Sequence, residues 1–199
     1  MENWDSIRDF WFGTNPDDNA TAQQRAKFWW SKNPQVDEEI RTRYLEQVEA
    51  AGARKFDSWS STPRGLLALI LLTDQFPRNI FRGTPRAFEF DHLARAWCLS
   101  GLERGVDRKL RPIERVFLYL PLEHSESVEH QAMSVQLFTK LYQDVPADYM
   151  DTFRGYLIFA LRHRRVIDRF GRFPHRNEIL GRPSTPEEIE FLKEPGSSF

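Results

Sequence analysis

Residues 65–72 read GLLALILL, a run with no polar face, and few environments can hold such a segment. As a helix it must be covered on several sides, because a surface helix shows a polar stripe opposite its apolar one. It falls far short of the roughly 20 residues that a membrane crossing needs. The cover must therefore come from the rest of the chain, which makes this helix central. Thr62-Pro63 marks its start: Thr62 can cap, and Pro63 takes the first helical position, where a missing N–H costs nothing. The run ends in Thr73-Asp74-Gln75, and Phe76-Pro77 is expected to break it, leaving Arg78, Asn79 and Arg82 at the exit before Gly83. An ionised Asp74 at the end of so apolar a helix needs a partner. Arg78, four residues on, is placed to supply one.

Apolar residues recur at helical spacing through most of the remaining chain. Ile7, Phe10 and Trp11 follow Asp5 as a cap and stop near Gly13, and Ile40, Tyr44, Leu45 and Val48 share one side of a helix beginning near Asp37. Phe88, Leu93, Ala96, Trp97 and Leu99 mark a helix from Pro85 to about Leu102, with His92 beside the stripe. Ile113, Val116, Phe117 and Leu120 mark another, followed by Pro121. The last long helix starts near Asp148, carries Tyr149, Phe153, Tyr156, Ala160, Ile167 and Phe170, and closes at Gly171, suited to a left-handed cap. The Thr-Pro start recurs at Thr84-Pro85 and at Thr185-Pro186, where Glu188 adds a capping box. No strand-like alternation persists. The expected class is all-α, built from antiparallel helix pairs in one domain over residues 1–199.

Composition narrows the function classes. A formal net charge of −1 provides no global field toward nucleic-acid phosphates, so no nucleic-acid partner is expected. Cys98 is the single cysteine, which excludes an internal disulfide and fits a reducing compartment. The opening MENWDSIRDFWFG lacks a basic region followed by an apolar run, so neither a secretory signal nor a membrane partner is expected, and the default setting is the cytoplasm. The cluster Phe28-Trp29-Trp30 reads as core packing in preference to a ligand groove.

Three polar segments, residues 74–82, 123–126 and 163–177, each end or follow an apolar helix, and antiparallel neighbours would bring those ends to one rim. Such a rim would offer Asp74, Arg78, Asn79, Arg82, Arg172, Arg176 and Asn177 as ligand-binding groups, since guanidinium forks match carboxylate and phosphate oxygens. His124, His163 and His175 titrate near neutrality, and Glu126 can orient a histidine or act as a base, so these four are the acid–base candidates. The competing reading makes the same arginines structural, satisfying helix C-terminal carbonyls and pairing with Asp74, Glu123 and Glu126. The histidines lack the helical spacing and short Cys/His intervals of strong metal sites, and no Gly-rich phosphate loop is present, so neither a metal nor a cofactor is expected. Phe76-Pro77-Arg78-Asn79 is echoed by Phe173-Pro174-His175-Arg176-Asn177, each soon followed by a Thr-Pro start, which hints at duplicated helix pairs.

The segments FWFG (10–13), LTDQFPRNIFRGTPRAF (72–88), YLPLEHSE (119–126) and RHRRVIDRFGRFPHRNEILGR (162–182) resemble, in order and across nearly the whole chain, the bacterial family called domain of unknown function 924. The sequence departs from that pattern at Thr73, often aliphatic there, and at Arg165, often acidic. The resemblance implies an all-α fold of the tetratricopeptide-like superfamily and no particular reaction. Two functions from different classes follow. One is a small anionic ligand held in an Arg/His-lined pocket, with acid–base chemistry upon it. The other is an adaptor that takes a peptide or protein partner in a concave groove, as that superfamily commonly does.

Overall fold

The structure, a computed structural model, describes residues 3–198, and among them every regular element is helical. The main helices are α1 (Trp4–Phe12), α2 (Asp18–Trp30), α3 (Pro34–Gly52), α4 (Pro63–Ile70), α5 (Phe76–Ile80), α6 (Asp91–Glu103), α7 (Pro112–Glu123), α8 (Val128–Asp144), α9 (Met150–Phe170) and α10 (Pro186–Phe191). Caps set several of the starts. Thr62 accepts the Gly65 N–H at 3.1 Å, and Thr185 and Glu188 close a reciprocal box. At α1 the cap is Asn3 instead of the expected Asp5, which lies in the first turn.

The apolar run is covered as its composition requires. Leu66 through Leu72 are all buried, with α1, α6 and α7 packed on α4. Around Phe117 of α7 the aromatic residues of α1 and α2 interlock, with ring centroids 5.6 Å away for Trp11, 5.2 Å for Phe12 and 4.8 Å for Trp29. Toward the C-terminus α7 packs on α8 and α8 on α9. One buried cluster extends from Ile7 to Ala160, and a smaller one joins Val166, Ile167 and Phe173.

Two prolines depart from expectation. The chain does not break at Phe76-Pro77: residues Leu71–Gln75 form one π-helical turn, with the Phe76 N–H reaching back to Leu71 O, and α5 continues to Ile80. A proline has no N–H to donate and its ring crowds the carbonyl four residues earlier. The wider turn moves that carbonyl aside, so the helix passes with its apolar cover intact. Similarly, Pro121 lies inside α7, which extends to Glu123. By contrast the segment beginning at Pro85 is a short 3-10 turn over Pro85–Phe88, and α6 begins only at Asp91. These shifts matter for function because they place Asp74, Asp91 and Glu123 on ordered elements.

The closest backbone approach falls at Gly65, where a Cβ would stand 2.2 Å from the Trp59 carbonyl oxygen and 2.8 Å from Thr62 Oγ1. Gly65→Ala is therefore expected to destabilise the protein by about 1–3 kcal/mol despite alanine's better helix propensity, read from the urea midpoint. An unchanged or raised midpoint would contradict this packing.

Candidate functional site

The π turn brings a carboxylate into the interior. Asp74 is fully buried, and its oxygens are matched on three sides: Gln75 Nε2 donates to Oδ2 at 2.6 Å, Arg78 Nη1 lies 3.2 Å from Oδ1, and His124 Nδ1 lies 2.8 Å from Oδ1. The expected pairing of Asp74 with Arg78 is present, extended by two groups from other parts of the chain. Arg78 also grips Asp91 at the start of α6 through two parallel bonds of 2.9 and 3.1 Å. His124 follows directly on α7, held by its N–H donating to Leu120 O at 2.8 Å.

The turn after α9 closes the group. Phe173 is buried and precedes a 3-10 turn over Pro174–Arg176. Arg176 donates to the His124 carbonyl at 3.0 Å, and its guanidinium lies between the rings of Phe88 and Phe173, 4.8 and 4.4 Å from their centroids. Its nearest carboxylate is Asp91, at 4.0 Å. Among the described residues its Nε is enclosed with no hydrogen bond; Nη2 has none either but is not enclosed, so it meets solvent. The same holds for His124 Nε2. On α9, His163 Nδ1 donates to Phe159 O at 2.9 Å and stands 3.1 Å from Glu123 Oε1, and its ring is 6.2 Å from that of His124. The His175 ring lies 5.6 Å from Phe173.

Burial and charge then assign proton states. For Asp74, burial works to raise the pKa, but Arg78 and then His124 hold it well below the ordinary carboxylate range. Glu123 goes the other way, pushed up to about 8 by burial and then by the Asp74 charge. Burial and then Arg78 lower His124; burial and then the neighbouring His124 lower His163 further. His175 falls to about 3 through burial and the charge of Arg176. Arg176 itself falls to about 10, from burial and then Arg78. At neutral pH the group therefore contains an ionised Asp74, a protonated Glu123 and three neutral imidazoles. Asp74 is then an acceptor and fixes the Nδ1–H tautomer of His124, leaving Nε2 as a free base.

Asp74, Arg78, His124, His163, His175 and Arg176 thus gather at one place, as the sequence suggested. The other candidates belong to separate ion pairs. Arg82 and Asn79 both hold Asp37, at 2.7–2.8 Å. Arg172 is forked on Glu188 at 2.7 and 2.8 Å, and Asn177 donates to Glu188 and Ser184. Glu126 orients no histidine through a hydrogen bond; it accepts from Arg182 at 2.7 and 2.9 Å and from the Phe173 N–H at 2.8 Å. Two members were missed as site residues, Glu123 and Asp91. Glu123 read as part of a polar loop after Pro121, and Asp91 was masked by the helix expected to start at Pro85. No group of three or more His, Cys, Asp or Glu among the described residues is arranged to hold a metal ion. Two surface clefts, along Pro34–Arg43 of α3 and beside Phe12–Pro16 with Arg25, are lined by none of these residues.

Comparison with known proteins agrees with this architecture. The family model described as bacterial protein of unknown function (DUF924) matches residues 7–196. A solved structure of a protein of unknown function, ATU0120 from Agrobacterium tumefaciens, is similar at 36% identity with a TM-score of 0.82, covering 96% of this chain and 97% of that one. No curated protein matches the chain.

The opposed shifts give a signed pH dependence. The folded protein keeps the Glu123 proton up to about pH 8, whereas the unfolded chain releases it near the ordinary glutamate value of 4.5. Its stabilising contribution is complete below the unfolded value and is lost as pH rises through the folded one. Between pH 7 and 8.5, urea unfolding should show stability falling with pH, by at most about 1.4 kcal/mol per unit for one proton. Glu123→Gln, which mimics the protonated acid, should remove that slope. The three histidines act oppositely: neutral when folded and charged when unfolded, they cost stability as pH falls below 6.5. A wild-type profile indistinguishable from that of Glu123→Gln would contradict the assignment.

Proposed function

The chain belongs to the bacterial family of unknown function whose model spans residues 7–196, and we propose that it binds a small oxyanion, a carboxylate or phosphate, at Arg176 and His124. His124 acts there as the acid–base group. The observation that carries this reading is the difference between Arg176 and the other three candidate arginines, Arg78, Arg82 and Arg172. Arg78, Arg82 and Arg172 are each forked on a carboxylate, whereas among the described residues Arg176 bonds only a backbone carbonyl, with Asp91 4.0 Å away. A guanidinium whose Nη2 has no hydrogen bond among the described residues and is not enclosed offers a donor that an oxyanion's oxygen can accept. His124 supports the reading because Asp74 orients its ring and fixes its tautomer, the role a buried carboxylate plays toward a catalytic imidazole. Arg78 and Asp91 position Asp74 and Arg176; His163 and His175 line the imidazole side.

The adaptor alternative, a tetratricopeptide-like module gripping a peptide, draws on exposed Ile158, Phe159 and Leu161 of α9. It leaves the buried Asp–His pair without a task, so the oxyanion reading takes precedence. The same reading treats the chain as one cytoplasmic domain, with the free Cys98 thiol kept in the core.

A thermal-shift screen of small carboxylates and phosphates tests it, because a ligand that binds only the folded state stabilises by about 2.7 kcal/mol at one hundred times its Kd. At least one such acid should raise the Tm of the wild type. The shift should disappear in His124→Asn and persist in Arg82→Lys, which alters only the Asp37 pair. Equal loss in both variants, or no response to any acid, would overturn the proposal.

A further inference from the structure

Resting on that oxyanion reading, we propose that the site takes its anion together with one proton, captured at His124 Nε2, so that its ligand class is a singly charged oxyanion. The argument begins from the charges that surround His124. From the π turn comes Asp74 at 2.8 Å, and from α5 comes Arg78. From α6 comes Asp91, bound to Arg78, and from the turn after α9 comes Arg176, bonded to the His124 carbonyl. Two guanidiniums thus face two carboxylates, and their formal charges cancel. The remaining neighbours add none: Glu123 on α7 is protonated, and His163 and His175 are neutral. Glu126, just past α7, is matched by Arg182.

An oxyanion docked on the solvent-facing Nη2 of Arg176 would make this group net negative. Uncompensated negative charge is costly in such a place, and the group that can answer it is the imidazole beside it. His124 is held neutral chiefly by burial and by Arg78. An anion against Nε2 offsets both, favouring the imidazolium, while Nδ1–H stays on Asp74. The proton comes from solvent, one N–H bond forms at Nε2, and that N–H then donates to an oxygen of the anion whose other oxygen faces Arg176. Binding therefore strengthens as pH falls, with affinity changing about tenfold per pH unit for one linked proton.

Isothermal titration of the full chain with acetate at pH 6.8, where Glu123 keeps its proton, reads this directly, in two buffers of different ionisation enthalpy. Acetate does not titrate in this range, so a buffer-dependent enthalpy counts protons taken up by the protein. The expected result is close to one proton per acetate, with affinity about threefold weaker at pH 7.3 than at pH 6.8, and no uptake in His124→Asn. Acetate binding with no buffer dependence would overturn the inference and leave the oxyanion site standing. Uptake that persists undiminished in His124→Asn would overturn the assignment to His124. Absence of binding by acetate and by sulfate, tested in parallel, would overturn the site and the inference together.

Discussion

A carboxylate buried within an apolar helix is the constraint on which the rest of this structure depends. Asp74 cannot remain ionised in that position without nearby cations and donors, since an uncompensated buried charge is far more costly than the whole folding free energy can absorb. Arg78, His124 and Gln75 satisfy it, and each commitment draws in another element. Arg78 ties α5 to α6 through Asp91, His124 ties in the end of α7, and Arg176 ties the turn after α9 to His124. Breaking such a pair from one side costs roughly 3–5 kcal/mol, because the other charge is left buried and alone. The network thereby specifies how four separate parts of the chain meet.

Two electrostatic regimes lie side by side within it. Around Asp74, charge is retained because Arg78 and the hydrogen bonds outweigh desolvation. Beside it, at Glu123 and His163, desolvation wins and both groups are neutral, with Glu123 Oε2 enclosed and without a hydrogen bond among the described residues. His124 stands between them, its Nδ1 side facing the ionised Asp74 and its Nε2 side meeting solvent. This asymmetry gives the imidazole a defined tautomer and a free basic nitrogen.

Much of this was legible in the residues themselves. Apolar spacing located the long helices, and Thr62-Pro63 and Thr185 with Glu188 announced caps that the structure contains. The pairing of Asp74 with Arg78 followed from their separation of four. The passage through Pro77 did not, because proline's rule holds for the α register and a π turn evades it while tertiary burial holds the helix together. Convergence of the three polar segments was also readable, but their division was not. Whether an arginine keeps unused donors depends on carboxylates distant in sequence: Asp37 takes Arg82 and Glu188 takes Arg172, while Asp91 leaves Arg176 only a 4.0 Å neighbour. Spacing along the chain contains no information about such choices.

The tautomer of His124 tests the account most directly. Long-range proton–nitrogen NMR correlation on uniformly labelled protein at pH 7, assigned with a His124→Asn variant, distinguishes the three states of an imidazole. The account predicts a neutral ring protonated at Nδ1, with Nε2 resonating as an unprotonated nitrogen. A ring protonated at Nε2, or an imidazolium in the absence of any anion, would contradict it.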